Sequence, residues 1–427
     1  MRSPRTAACL VATLGLALAG CGSSKATVQG GNDTLSATTL TVYSNLPLLG
    51  SDATSQQSIV DGEALALYNA GGRVQFKIGG RSAELHVSLD SLNDADAAAG
   101  GWTAEATAAS AKTAFQDLSA VAYIGDFDSG ATATSLPLND ENDVVQVSPG
   151  SPYVGFTDPA PGVPKDEPHL FYPYWAGHRT FARLVPSYLP QARATIAYMR
   201  SLGVRRLYLL SDSADPLDAE IVPLVAADLR RSGIALAGSG SVAPSGITPA
   251  AFTGLARRIA AAHPDAVIYG GAADVSAPVL WRALHAQLPA AKLFAPSTLA
   301  VPVFLGGLGP AAAATFVTSP YLEADQYPAS ARRVLRQLAR MFPGVAPTVQ
   351  ALYGYEAMQV VLDAIRRAGR NAPSRGDFRN AFFSLGEIRD SVIGPFHIDA
   401  AGDSSLDAFD GYRVGPAGAL VLVRRIS

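Results

Sequence analysis

The sequence predicts an α/β fold of two lobes, each built on a parallel sheet covered by helices. Three observations lead there. From residue 38 onward the apolar period alternates between strand and helix, and repeated βα units build parallel sheets because a parallel neighbour needs a crossover connection. The rhythm breaks at residues 149–180, a stretch rich in Pro, Gly and aromatics, and then restarts in a similar layout. The chain is also long and apolar enough for two bodies, with 427 residues, 48% hydrophobic and 16% charged.

The elements follow in order. "TLTVYS" (39–44) reads as a strand, and "SQQSIVDGEALALYNAGG" (55–72) as a helix with Ile59, Glu63/Ala64 and Leu67/Tyr68 on one face and a glycine stop. "RVQFKIG" and "ELHVSLD" are strand-like, and 103–119 is an Ala-rich helix. Strand 121–124, a helical 130–138 and strand "DVVQVS" (143–148) complete the first unit. After the break come helix 187–202, "RRLYLLSD", helix 217–232, "IALAGS", helix 250–262, "DAVIYGG", helix 275–287, "AKLFAP" and "ATFVTSP". Residues 328–385 read as mostly helical, and "VIGPFHID" and "YRVGPAGALVLVRR" as β-like.

The N-terminus has its own logic. "MRSPR" is a basic lead, followed by the apolar "TAACLVATLGLALAG", too short to span a bilayer comfortably. It ends in Leu18-Ala19-Gly20-Cys21, which resembles the bacterial lipoprotein signal. That resemblance implies a signal peptide over 1–20, lipid on Cys21, and a flexible tether over 21–37. The other cysteine, Cys9, lies inside the signal, so the processed chain could form neither a disulfide nor a Cys-based metal site.

Charge and motif spacing exclude several classes. A formal net charge of −3, from 33 Lys+Arg and 36 Asp+Glu, leaves no basic stripe for a nucleic-acid backbone. His86, His169, His178, His263, His285 and His397 are scattered with no metal-ligand spacing. No GxSxG elbow occurs, and Asp399, Asp403, Asp407 and Asp410 are spaced too widely for an EF-hand loop, which leaves them as a solvated turn. "LFYPYW" (170–175) reads as packing for a long connection, with an aromatic cleft rim as the alternative. "ARRVLRQLARMF" (331–342) is amphipathic and basic and reads as a solvated helix face, with a permease-docking surface as the alternative.

"YIGDFDSGATATSLP" (123–137) is the segment with most chemistry. A strand runs into a glycine turn, a hydroxyl and a helix start, the arrangement in which unpaired N–H groups and the helix dipole converge on an anion. Ser129 and Ser151 can supply hydroxyls, and Gly130 and Gly150 let the backbone approach closely. Plain turn chemistry is the competing reading of both loops. No GxxxxGK(S/T) follows, which disfavours a nucleoside phosphate.

From Thr39 to about Arg424 the order of segments resembles the type I periplasmic solute-binding proteins of ABC transporters, the branched-chain amino-acid (Leu/Ile/Val) binding group above all. The pieces that carry the resemblance are "LPLLG", "NAGG", "AYIGDFDSGAT", "VSPGSP", "RRLYLLSD", "PDAVIYGG", "VTSPY", "YGYEAMQVVLDAIRRAG" and "IGPFHIDAAGD", in the family's order. It implies two Rossmann-like lobes joined by a three-crossover hinge: residues 38–182 plus 319–388, and 183–318 plus 389–427. It also implies a non-enzymatic binding protein without cofactor, a monomer that captures a small amino acid or related carboxylate or amide for an ABC permease. Its place would be the extracytoplasmic face of the cell membrane, periplasmic or cell surface, held by the N-terminal lipid. Ser129 falls at the family's ligand-binding serine, and Gly150 and Ser151 where the grip on the ligand carboxylate is completed.

The second lobe departs from the pattern. The aromatic residues common after "LYLLSD" and "YGG" are missing, and Ser297 stands where an acid would pair with the ligand amine. Asp212 or Asp215 could replace that acid, or each could be a solvated loop aspartate. A ligand-sensing lipoprotein that signals through a partner, or less closely a hydrolase on the same scaffold, are the alternative functions.

Overall fold

The computed structural model describes residues 39–173, 178–344 and 346–426. The signal, Cys21 and the tether lie outside the described residues, as does part of the "LFYPYW" stretch. Among the described residues no helix is long and apolar enough to cross a membrane.

The first lobe carries a six-stranded sheet in the spatial order Arg73–Ile78, Arg81–Asn93, Thr39–Leu46, Ala120–Ile124, Val145–Ser148, Phe181–Arg183. All neighbours are parallel except the first pair, a hairpin at the edge. The second lobe carries seven strands in the order Ala235–Val242, Arg206–Asp212, Ala266–Gly270, Lys292–Ala295, Thr315–Ser319, Phe409–Val414, Leu420–Ile426. Its first five run parallel, and the last two return antiparallel. The sheets are parallel as expected apart from one edge of each, where short Gly-containing turns join Arg73–Ile78 to Arg81–Asn93 and Phe409–Val414 to Leu420–Ile426 as hairpins without a crossover helix.

Burial explains the strand composition. Leu40, Val42, Val121, Ala122, Val145 and Val147 lie in the first core, sealed on one side by helix Gln350–Ala368. That helix packs along Ala53–Asn69 so closely that a Cβ on Gly354 would lie 2.1 Å from the Ile59 carbonyl oxygen. The second sheet has a core on each face, one around Tyr198, Phe294 and Phe316, the other around Tyr269, Trp281 and Phe304. The expected helix 217–232 divides at Glu220 into Pro216–Ala219 and Ile221–Ser232. There the buried Glu220 carboxylate accepts a hydrogen bond from the Val154 N–H at 2.9 Å.

Two expectations near the C-terminus change. "VIGPFHID" forms isolated bridges, Ile388 to Phe396 and Ile398 to Ser404, because Pro395 lacks a donor and Gly394 turns the chain at φ 103°. Val392, Ile393 and Phe396 belong to the first core, and the chain joins the second sheet only at Phe409, not near residue 389. The acids of this region are not all solvated either. Asp403 pairs with the buried Arg183 at 2.6 Å, and the buried Asp410 accepts from the Glu323 N–H at 3.0 Å. Phe171 and Tyr172 pack with Tyr153, Phe156 and Phe181, so this part of the aromatic stretch serves the connection.

Candidate functional site

In an open α/β sheet a ligand sits outside the carboxyl ends of the strands. Here those ends from both sheets face one cleft. The loops after Leu46, Ile124 and Ser148 meet the loops after Asp212 and Ala295, and Ser319 leads into the connection between lobes.

The base of the first-lobe side is a buried polar network. The Asp126 carboxylate accepts from Asn45 Nδ2 at 2.6 Å, Tyr123 OH at 2.7 Å and Ser135 Oγ at 2.5 Å. Burial pushes Asp126 up to about 6 despite these donors. Asp94, buried nearby, is pushed up to about 8 by burial first and then by Asp126 and Asp128. Ser148 Oγ donates to the Asp126 carbonyl at 2.6 Å and accepts from the Gly150 and Ser151 N–H groups at 3.2 and 2.9 Å. One hydroxyl thus ties the loop after Ile124 to the loop after Ser148.

On that base the Ser151 hydroxyl donates to Ser129 Oγ at 3.3 Å, leaving the Ser129 proton free to point elsewhere. Both serines are buried, and Ser129 opens helix Ser129–Glu141. Behind Ser151 the guanidinium of Arg183 donates to the Ser151 and Tyr153 carbonyls at 3.1 and 2.6 Å and pairs with Asp403. A Cβ on Gly130 would lie 2.3 Å from the Trp102 ring, and one on Gly150 2.4 Å from the Phe127 ring. Each glycine therefore admits an aromatic ring of the protein, and Gly130 also borders a cavity.

Two cavities open between the lobes. One of about 440 Å³ lies between Trp102, Asp128 and Gly130 on the first lobe and residues 214–218 on the second. The other, about 220 Å³, lies between Asp52 and Phe127 on one side and Ser297 and Tyr412 on the other, with Tyr321 and Glu323 at its end. Phe127 stacks on Tyr321 at 6.5 Å between ring centroids. Ser129 sits in sequence between residues that line the two cavities but lines neither itself. A larger hollow of about 520 Å³, between Arg200, Arg205 and Ile234, opens at the amino ends of the second-lobe strands, the wrong end of a sheet for a ligand.

The second-lobe expectations divide. Asp212 is buried and holds Tyr269 OH at 2.9 Å and the Ala214 N–H at 2.8 Å, so it shapes its loop and lines neither cavity. Ser297 lines the smaller cavity and donates to Gln191 Oε1 at 3.3 Å. The sequence reading singled out neither Asp218 nor Asp52, and the run "DSADPLDAE" was the available signal for the first. Asp218 accepts from Tyr188 OH at 3.1 Å and is pushed well above its ordinary range by burial, then by Asp215 and Asp128. Asp128 is pushed up to about 7 by burial, then by Asp52, Asp126 and Asp215. Trp102 and Phe127 were also missed, since a lone aromatic announces nothing until its partners are known. Among the described residues no group of three or more His, Cys, Asp or Glu is placed to hold a metal ion.

Residues 44–408 match a family model described as periplasmic binding protein. No curated protein matches the chain. Solved structures share the fold. A leucine-binding protein LivK from Thermotoga maritima is 18% identical, with 91% of this chain and 99% of that chain covered and a TM-score of 0.71. A solute-binding protein from R. palustris in complex with benzoate is 18% identical over 91% of this chain and 96% of that one, with a TM-score of 0.67. LivJ from Streptococcus pneumoniae in complex with isoleucine is 15% identical over 91% and 99%, with a TM-score of 0.68.

Proposed function

Because the chain belongs to the periplasmic binding protein family, we propose that it is a lipid-anchored extracytoplasmic protein that closes its two lobes on a small polar or amino-acid-like ligand and delivers it to an ABC permease. The observation that carries this reading is the pair of cavities lined by strand-end loops from both sheets. Because each lobe contributes to both cavities, a ligand there gains its full set of contacts only when the lobes come together. The Ser129–Ser151 hydroxyl pair, beside these cavities but outside their lining, would offer its free proton to a polar acceptor of the ligand once the lobes close, and Ser297 would face it from the second lobe. Similar structures, a leucine-binding protein and proteins in complex with isoleucine or benzoate, support capture of a small molecule over its turnover.

Small-angle scattering with and without candidate solutes tests the reading. A saturating ligand should reduce the radius of gyration and raise Tm, and mass spectrometry should recover it unchanged. Compaction by no solute, or recovery of a converted product, would refute it. Anchoring is tested separately. Cys21→Ala should release the protein from the membrane fraction, and a variant that stays membrane-bound would show a different anchor.

A further inference from the structure

The cavities define where a solute would bind, and their charge says what kind. We infer that the cleft takes an organic cation, an amine, guanidine or quaternary ammonium compound with an apolar part, in place of an acid or a zwitterion; this rests on the solute-binding reading above. All charged side chains that line either cavity are acidic: Asp128, Asp215 and Asp218 around the larger, Asp52 and Glu323 around the smaller. Neither lining contains a Lys, Arg or His. Arg183, the cation behind the Ser151 turn, is fully enclosed and committed to Asp403 and to neighbouring carbonyls.

The acids come from both lobes and oppose one another. After burial, Asp215 across the cleft raises Asp128, and Asp215 and Asp128 raise Asp218. Asp128 has no hydrogen-bond donor on its carboxylate among the described residues, although it borders the larger cavity. A carboxyl that burial and a like-charged neighbour keep protonated ionises against a cation placed between the walls of a closing cleft, and so gains a charge partner. A second carboxylate brought in by the ligand would add to the repulsion, which is how a site rejects the wrong charge.

A metal ion is the simplest cation, but these oxygens are not gathered into a metal-holding group. A longer molecule can reach carboxylates that a single ion cannot. The remaining walls suit its body: the Trp102 ring borders the larger cavity, and Phe127, Tyr321 and Tyr412 the smaller. Aromatic faces accept both alkyl stems and the cationic head itself.

Titration calorimetry with benzylamine, agmatine, putrescine and choline, set against benzoate, benzamide and leucine, tests the inference. At least one cation should bind, more weakly as salt rises from 50 to about 500 mM. Asp218→Asn and Asp128→Asn should each lower that cation's affinity at least about tenfold, the size of a lost charged contact. Their unliganded Tm should hold or rise, since each removes repulsion without changing shape. Tighter binding of benzoate or leucine than of every cation, or unchanged cation affinity in both variants, would overturn the cationic class. Either outcome would leave the solute-binding reading standing if scattering still shows compaction. Absence of both binding and compaction across the whole panel would overturn that reading together with this one.

Discussion

At Ser129 a single hydroxyl proton decides what the residue can offer a ligand. Its hydroxyl accepts from Ser151, so its own proton is the one donor the pair can offer outward. The size of the loss in Ser129→Ala therefore reports what that donor meets. A neutral carbonyl or hydroxyl of the ligand corresponds to about 0.5–1.5 kcal/mol, and a carboxylate to about 1.5–3 kcal/mol. For a cationic ligand with a neutral acceptor the expected loss is about two- to tenfold in affinity by calorimetry, with the unliganded Tm nearly unchanged. A loss near a hundredfold would point to an acidic ligand group, and a large fall in unliganded Tm to a turn-forming serine. The serine pair was legible in the sequence because its segment order and glycine neighbours mark the loops. The acidic lining was not, because the lining carboxylates follow separate strands, after Leu46, Ile124, Asp212 and Ser319, that only the strand order of the two sheets brings to one cleft.

Among the elements, periodic segments were the readable ones. Helix Ala53–Asn69 was recognisable from spacing, and Gln350–Ala368 lies within the stretch 328–385 that reads as mostly helical. What spacing could not show is that these two helices pack on each other across some 290 residues of sequence, which accounts for their small residues. Gly62 and Gly354 sit at that contact, and a Cβ on either would lie 2.1 Å from a main-chain oxygen of the other helix. Gly354→Ala should gain about 1 kcal/mol of helix propensity, yet overpacking against rigid backbone costs about 1–3 kcal/mol or more. A net destabilisation is expected in urea denaturation. Gly254, inside helix Pro249–Ala260, is the contrast: nothing but the end of Arg258, at 3.8 Å, stands near its Cβ position. Gly254→Ala should therefore stabilise, by up to about 1 kcal/mol. Similar effects at the two positions would contradict the interlocked helices. Strand pairing at the C-terminus was less legible for a related reason. "VIGPFHID" has the apolar alternation of a strand, but Pro395 and the positive φ of Gly394 keep it from joining a ladder.

The whole molecule is organised around carboxylates held away from water. Burial pushes Asp126 up to about 6, Asp128 and Glu356 up to about 7, and Asp94 and Glu220 up to about 8. Glu63 and Asp218 lie well above their ordinary range for the same first cause. These groups come from both lobes and from the loops between them, so they act on one folding transition. In the unfolded chain carboxylates titrate near pH 4, and in the folded protein these keep their protons to pH 6–8. Between those limits the folded state binds more protons than the unfolded one, and stability falls as pH rises. Asp117, whose carboxyl is lowered by hydrogen bonds from Ser119, Tyr43 and Thr41 against the opposing effect of burial, contributes the opposite sign but lies outside this majority. The unliganded protein should accordingly melt at a higher temperature at pH 5 than at pH 8, with most of the decline between about pH 5 and 8. Replacing Asp128 with Asn should flatten the profile, since an amide has no proton to lose, and should leave the value at pH 5 nearly unchanged. Calorimetric melts across that range decide it: a Tm that rises with pH would mean that the cleft and interior acids are ionised and compensated in the folded protein, contrary to the enclosure described here.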